Sequence, residues 1–378
     1  MPACDVRPLT LDRLVLTDLR NVVSARLAPG RVNVIAGDNG QGKTSILEGI
    51  YLLATTRSFR TARLSDLTRH EAAVSNVKGT FTEHWDGAPV LREQSVGLAR
   101  GRRTVRLDRE APPSLRHYAT RSPVVVFDPT QMSLSTGPAN ERRTLLDRVT
   151  LFTRPEVASH RARYGRALRE RAKLLSLPGE GGGSASAALD AYEALLAEHG
   201  AAITRGRSAA CATLAEVMGQ TFAEIAAPDL TLEVSYASGG SEDPERSALQ
   251  LRNDRRLDAQ RKRTGHGPHR DDLTFRLDGH PARVVASQGQ HRALTLALKL
   301  AELRCIAVAR GVQPILLLDD VSSELDADRS AALFAHLTQS ESQIFLTTTR
   351  RSLIVTHPDA DRRDYTVVNG EISVVSGS

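Results

Sequence analysis

The sequence predicts an α/β fold with an inserted helical lobe, and three observations carry that reading. Short, continuous apolar runs recur along the chain, as expected of parallel strands covered on both faces. One of them runs directly into a glycine-rich loop and then a helical pattern, the usual opening of an α/β domain. Between the first and last of these pieces the composition turns to Ala, Leu, Arg and Glu at helical spacing.

In chain order, Leu9-Thr-Leu-Asp-Arg-Leu-Val-Leu16 alternates as a half-exposed strand, and Pro29-Gly30 is a turn. Arg31-Val-Asn-Val-Ile-Ala36 is a short β-branched buried strand, and the run from Ile46 to Ala54 is helical. Pro123-Val-Val-Val-Phe127, Pro314-Ile-Leu-Leu-Leu318 and Gln343-Ile-Phe-Leu-Thr347 are further buried strands. From about Ala139 to Val217 the pattern is helical, for example Leu145, Leu146 and Val149. Pro178-Gly-Glu-Gly-Gly-Gly183 breaks it, which predicts two helices of about 25 residues joined by a flexible linker. Tyr365 to Val375 reads as a hairpin about Asn369-Gly370, a type I′ turn pair. The expected domains are an α/β head formed by residues 1–138 and 251–378, around a helical lobe at 139–250.

The chain has 378 residues, enough for about two domains at roughly 150 residues each. Hydrophobic residues make up 40% and charged residues 25%, which excludes global disorder. No run approaches the ~20 apolar residues of a membrane span, and Met1 to Thr10 lacks the apolar core of a secretory signal. Cys4, Cys211 and Cys305 form no CxxC pair, which argues against a disulfide framework or zinc cluster and fits a reducing cytoplasm. The net charge of +6 permits nucleic-acid binding. Only five of the 50 basic residues are lysines, so a retained lysine such as Lys43 is expected to have a specific task.

Gly37-Asp-Asn-Gly-Gln-Gly-Lys-Thr44 fills every fixed position of G-x-x-x-x-G-K-[ST], between a predicted strand and a predicted helix. Its glycines let successive N–H groups face phosphate oxygens, and the following helix N-terminus adds further attraction for anions. Gly37, Asp38, Asn39, Gly40, Gln41, Gly42, Lys43 and Thr44, with Ser45, are therefore the expected nucleotide-binding set. Lys43 is expected on the β/γ oxygens and the Thr44 hydroxyl on Mg²⁺. Ile315-Leu-Leu-Leu-Asp-Asp320 is an apolar strand ending in two carboxylates. The first, Asp319, is expected to hold Mg²⁺ with Thr44, and the second, Asp320, to polarise the attacking water.

Ser287-Gln-Gly-Gln290 precedes an apolar helix, Ala293 to Leu303, and its Gly289 lies 30 residues before Asp319. Ser323-Glu-Leu-Asp326 follows the acidic pair. In this order the segments resemble the signature, Walker B and D-loop of ABC-type ATPases, which implies an ABC-type P-loop ATPase head. In that class Ser287, Gly289, Gln290 and Asp326 would serve nucleotide bound across a dimer interface. The 244 residues from Lys43 to Ser287 exceed a transporter ATPase domain and fall short of a long coiled-coil arm.

Further segments narrow the resemblance: Leu14-Val-Leu-Thr-Asp-Leu-Arg-Asn21, Arg57-Ser-Phe-Arg-Thr61, Phe127-Asp-Pro129, Arg142-Arg-Thr-Leu-Leu-Asp147, Gly267-Pro-His-Arg-Asp-Asp272 and Leu318-Asp-Asp-Val-Ser-Ser-Glu-Leu-Asp326. With these the chain resembles the RecF family of bacterial recombination-repair ATPases over nearly its whole length. The resemblance implies a weak DNA-dependent ATPase of DNA repair and replication, tied to the response to DNA damage. It further implies an ATP-dependent homodimer that clamps gapped, junction or duplex DNA, partners RecR and RecO, and help in loading the RecA recombinase. Departures are few: Leu19 stands where the family usually has an aromatic residue, and His291 where it commonly has Gln. No histidine follows the strand ending at Thr347, so Thr347, Thr348 or Thr349 is expected to replace the γ-phosphate switch.

Candidate DNA contacts are Arg102, Arg103 and Arg106; Arg161, Arg163, Arg166 and Arg169; and Arg255, Arg256, Arg261, Lys262 and Arg263. They would neutralise phosphates without reading sequence, and an aromatic content of 4% argues against base stacking as the main mode. Arg57, Ser58 and Arg60 read equally as nucleotide or dimer contacts and as a structural turn. His266 and His269 beside Asp271 and Asp272 read as structural rather than metal-binding. Two other functions fit parts of the pattern, a transporter ATPase and an OLD-like nuclease. The long insertion disfavours the first, and the second lacks a further acidic domain, since only about fifty residues follow Asp326.

Overall fold

The structure is a computed structural model that describes residues 6–85, 88–176, 183–225, 230–320, 341–351, 354 and 361–375. The chain divides into two compact units: Met1–Gln131 with Glu224–Ala226 and Arg292–Ser378, and Met132–Ala223 with Ala227–His291.

The first unit holds β1 (Leu9–Leu19), β2 (Val22–Leu27), β3 (Val32–Ala36), α1 (Lys43–Thr55), β4 (Val74–Trp85), β5 (Ala88–Ala99), β6 (Arg102–Leu107), α2 (Leu115–Ala119) and β7 (Val124–Phe127). The second holds α3 (Ser133–Thr136), α4 (Ala139–Thr153), α5 (Val157–Leu175), most of α6 (Gly183–Ile225), β8 (Leu232–Ala237), α7 (Pro244–Asn253), α8 (Arg255–Arg261), β9 (Asp272–Leu277), β10 (His280–Pro281) and α9 (Ala282–Val285). α10 (Gln288–Arg310) begins in the second unit and ends in the first. The first unit then closes with β11 (Ile315–Leu318), β12 (Ile344–Thr348), β13 (Arg362–Val368) and β14 (Glu371–Val374).

Among the described residues, the central sheet has six strands in the order β14-β13-β3-β12-β11-β7. The five from β13 to β7 pair in parallel, and β14 adds an antiparallel edge. β3, β7, β11 and β12 are buried at every position, as their unbroken apolar runs require. β13 and β14 turn at Asn369 (φ 49°) and Gly370 (φ 81°), both left-handed as a type I′ turn demands. A second, antiparallel sheet runs β2-β1-β4-β5-β6. Ile46, Ile50 and Leu53 of α1 join one core with Leu14 and Leu16 of β1, Phe81 of β4 and Phe345 of β12. That burial anchors the helix whose N-terminus faces the functional site.

The second unit differs from the helical lobe expected. It contains a three-stranded sheet, β10-β9-β8. Where two helices were expected from residue 139 onward, the described residues form three, α4, α5 and α6: α4 stops at Thr153, with Arg154 and Pro155 outside the helical conformation, because the residue before a proline is pushed toward extended backbone. α6 runs for 43 residues, and Pro178 to Gly182 of the expected linker lie outside the described residues. The unit ends at His291 rather than 250, since β9 pairs with β8 and carries residues 272–277 into it.

Candidate functional site

In a parallel sheet the strand carboxyl ends gather the loops, and ligands collect there. β12 lies between β3 and β11, so three strand ends converge: the glycine loop after β3, Asp319 and Asp320 after β11, and Thr347 at the end of β12. Gly42 caps α1 at φ 115°, a conformation natural to glycine, and the helix starts at Lys43. Lys43 is nearly buried and donates to the carbonyls of Gly37 (2.6 Å) and Asp38 (3.0 Å). The β13–β14 turn braces the loop, with Gly370 N–H donating to Gln41 O at 2.8 Å.

Thr44 Oγ1 donates to the Asp319 carboxylate, 3.0 Å from each oxygen. Burial pushes the Asp319 carboxyl above the usual carboxylate range; hydrogen bonds from Thr347 and Thr44 oppose this, and nearby Asp128 adds to it. Thr347 Oγ1 donates to Asp319 Oδ1 at 2.7 Å and accepts from Asp320 N–H at 2.8 Å, so one hydroxyl links both acids. Asp320 sits at φ 48°, a left-handed position that Asp tolerates better than most residues. Thr348 instead donates to Arg350 O at 3.0 Å, and Thr349 is exposed. These groups line a cleft of about 630 Å³ that includes Arg20, Asn39, Lys43, Thr44, Asp320 and Thr347.

The Thr347 link makes a stability prediction. Thr347→Val is expected to lower unfolding stability by about 1–3 kcal/mol, because the partly buried Asp320 N–H and the buried Asp319 carboxylate both lose their hydroxyl partner. Thr347→Ser should stay near wild type. Urea unfolding of both variants checks this, and a loss confined to Thr347→Ser would mean that the methyl group rather than the hydroxyl matters.

Sequence reasoning assigned no role to the turn between β1 and β2 or to Glu48. Arg20, at the turn, donates twice to the fully buried Glu48 carboxylate, each at 2.8 Å. Asn21 accepts from Ser45 Oγ at 2.8 Å and donates to Gly40 O at 3.3 Å. Both belong to the segment Leu14–Asn21, so the signal was present there without its purpose. Ser58 also donates to Glu48, and its hydroxyl accepts from the N–H groups of Arg60 (2.9 Å) and Thr61 (3.0 Å), which makes residues 58–61 a structural turn. Arg60 reaches Glu48 at 3.8 Å and also lines the cleft.

In the second unit, Ser287 and Gln290 form a reciprocal cap on α10: Ser287 N–H donates to Gln290 Oε1 (2.7 Å) and Gln290 N–H to Ser287 Oγ (3.2 Å). Ser287 is exposed and Gly289 half-buried, so this helix start faces solvent within its unit. Val284 and Val285 beside it are 79% and 49% exposed. Asp326 lies outside the described residues.

Residues 267–272 form a polar knot. Arg142 binds Asp272 through two bonds of 2.7 and 2.9 Å. Arg207 bridges Asp147 and Asp271 at 2.8 Å each, and Gly239 N–H donates to Asp271 at 2.9 Å. His269 is held by Tyr164 OH (2.7 Å) and Thr264 O (2.9 Å), and His266 by Ser247 (3.2 Å).

Among the basic candidates, Arg102 and Arg106 are exposed on β6, while Arg103 donates to Thr56 O at 2.9 Å. Arg163, Arg166 and Arg169 are exposed along α5, and Arg161 pairs with Asp147 at 2.8 Å. Arg256, Arg261, Lys262 and Arg263 are exposed. Arg255 stands apart: it is clamped by Asp190 and Glu193, which neutralise its charge and tie α8 to α6.

A family model described as the RecF/RecN/SMC N terminal domain matches residues 10–363. The DNA replication and repair protein RecF of Anaeromyxobacter sp. is 39% identical over 370 residues, covering 95% of this chain and 98% of that protein. RecF of Myxococcus xanthus is 39% identical over 348 residues, covering 89% and 90%. A solved structure of the recombination mediator protein RecF with ATP, from the RecFOR pathway, matches with a TM-score of 0.86 at 27% identity, over 97% of this chain and 98% of that one. The Smc head domain of Pyrococcus furiosus shares the fold, with a TM-score of 0.57 at 14% identity.

Proposed function

This chain belongs to the RecF family, and on that premise we propose that it is an ATP-dependent DNA-binding protein of recombinational repair and replication maintenance. ATP closes a homodimer on gapped, junction or duplex DNA, and slow hydrolysis reopens it. The observation that carries the reading is the convergence of Lys43, Thr44, Asp319, Asp320 and Thr347 at adjacent strand ends.

Lys43 already donates to two carbonyls of its own loop, and phosphate oxygens are stronger acceptors for the same amine. The N–H groups at the start of α1 add to that attraction. Thr44 and Asp319 are the residues that would hold Mg²⁺. A carboxylate with a hydroxyl 3.0 Å from each of its oxygens is an all-oxygen donor set suited to a hard cation. Bound there, Mg²⁺ would neutralise charge on the β and γ oxygens. Asp320 orients the attacking water and accepts its proton, and Thr347 holds Asp319 and Asp320 in register and takes the place of a switch histidine.

Ser287, Gly289 and Gln290 serve nucleotide held by a second copy, with Asp326 at the same interface. The exposed start of α10 and the apolar Val284–Val285 pair support that assignment, since an exposed apolar patch marks a contact surface. DNA is held by the exposed arginines of β6, α5 and the segment 256–263, through phosphate neutralisation. RecR, RecO and RecA are the proposed partners and the cytoplasm the proposed location. Among the described residues no helix is long and apolar enough to cross a membrane.

Light scattering tests the dimer. With ATP, Mg²⁺ and a gapped duplex, wild type is expected to shift from 41.0 kDa to about twice that, and Ser287→Arg to remain at one subunit. The substitution removes a helix cap at a cost of about 1 kcal/mol, so a thermal melt should still show a folded chain. A wild type that stays monomeric under all conditions defeats the clamp.

A further inference from the structure

In the second unit, outside the nucleotide cleft, two histidines and a carboxylate come together on α5 and α6. His160 Nδ1 lies 3.2 Å from His199 Nδ1, and Glu198 Oε1 lies 3.4 Å from the same His199 nitrogen. All three donor atoms fall within 4.8 Å of one another. From this geometry we propose that His160, Glu198 and His199 form a binding site for one divalent transition ion of the Zn²⁺ class, with water in the fourth position.

The distances carry the argument. An ion bonded tetrahedrally at about 2.0–2.1 Å to nitrogen and oxygen separates its ligand atoms by roughly 3.3–3.4 Å. Two of the three edges already have nearly that length. The third would close by rotation of the Glu198 side chain, which is 64% exposed.

The protonation chemistry agrees. His199 is almost wholly buried, and burial holds its pKa below the usual histidine value; Glu198 opposes the shift, while His160 and Arg163 reinforce it. A neutral ring keeps a lone pair for a metal. Two facing Nδ1 atoms can share only one proton between them, so an ion that accepts both lone pairs satisfies both rings at once. The Glu198 charge offsets the positive potential of Arg163 and of the ion. Two imidazoles with one carboxylate favour Zn²⁺, Co²⁺ or Ni²⁺ over Mg²⁺ or Ca²⁺, which prefer all-oxygen ligands. The ion would fasten α5 to α6 beside the exposed Arg163.

The test uses the full chain, stripped with chelator and free of nucleotide, titrated with ZnCl₂ by calorimetry and with CoCl₂ by visible absorption. Wild type should bind Zn²⁺ saturably and give the d–d bands of a four-coordinate Co²⁺ site. His160→Gln and Glu198→Gln should each weaken binding at least by the roughly 10–100-fold that losing a more distant partner of a metal site costs. The Co²⁺ bands should vanish in His160→Gln, and excess Mg²⁺ should not compete. Melting of His160→Gln in EDTA checks its fold, and if it is destabilised, the exposed Glu198→Gln decides. Absence of saturable Zn²⁺ binding by wild type, or equal affinity in the folded variants, would overturn the proposal and leave a hydrogen-bonded histidine pair.

Discussion

Asp320→Asn is expected to keep ATP-driven dimerisation while steady-state phosphate release falls by roughly 10²–10⁴-fold, the usual contribution of a positioned general base. An amide of the same size preserves the Asp320 backbone N–H to Thr347, so the link to Asp319 survives. What is lost is a carboxylate that accepts a proton from water. Thr44 and Asp319, the residues proposed to hold Mg²⁺, are untouched, so nucleotide affinity should change little. Light scattering and phosphate release on the same sample separate the two effects. Hydrolysis at the wild-type rate would move the base to another residue, and loss of dimerisation would give Asp320 a role in assembly.

Replacing Arg171 is expected to have the largest effect on stability. Its guanidinium is wholly buried and donates to Glu193 (3.1 and 3.2 Å), Asp258 (2.7 Å), Thr264 (2.9 Å) and Leu251 O (3.1 Å). One side chain of α5 thereby ties α6, α7, α8 and the loop after α8 together. Arg171→Leu leaves two nearly buried carboxylates, of which Glu193 retains Arg255 and Asp258 retains the Gly265 N–H. Breaking such a pair typically costs about 3–5 kcal/mol, since the stranded charge keeps its desolvation penalty. Urea unfolding, with hydrogen exchange read on α5 and α6, should show that loss in the second unit, and a change below about 1 kcal/mol would sink the argument. A variant that also removes the two carboxylates should recover part of the loss, because apolar replacement of a whole buried network is often near neutral.

Much of the fold follows from short-range pattern. The buried strands, α1, the type I′ turn at Asn369-Gly370 and the start of α10 all rest on residues a few positions apart. The same holds for the nucleotide loop. By contrast, β4, β5 and β6 are not legible in the sequence: the burial of β5 and β6 is partial and mixed, and the pairing of β4 with β1, β5 with β4 and β6 with β5 is a tertiary matter. The helical composition of 139–217 concealed the Pro155 break and suggested a lobe without strands.

The residues alone therefore identify the glycine-rich loop, the acidic strand end, the capped start of α10 and the family, because each is a local arrangement of backbone and side chain. Only the tertiary structure joins Thr347, alone of the three threonines, to Asp319 and Asp320, since that contact depends on β12 lying between β3 and β11. The same is true of the grip of Arg20 and Asn21 on α1 and its loop, and of the polar knot around Asp271. It also decides that Arg255 is neutralised by Asp190 and Glu193, and that His160 meets His199. Each of these joins groups tens to hundreds of residues apart, at separations where no hydrophobic period or spacing rule operates. Burial brings them together, and the penalty for leaving buried polar groups unpaired determines which partners they take.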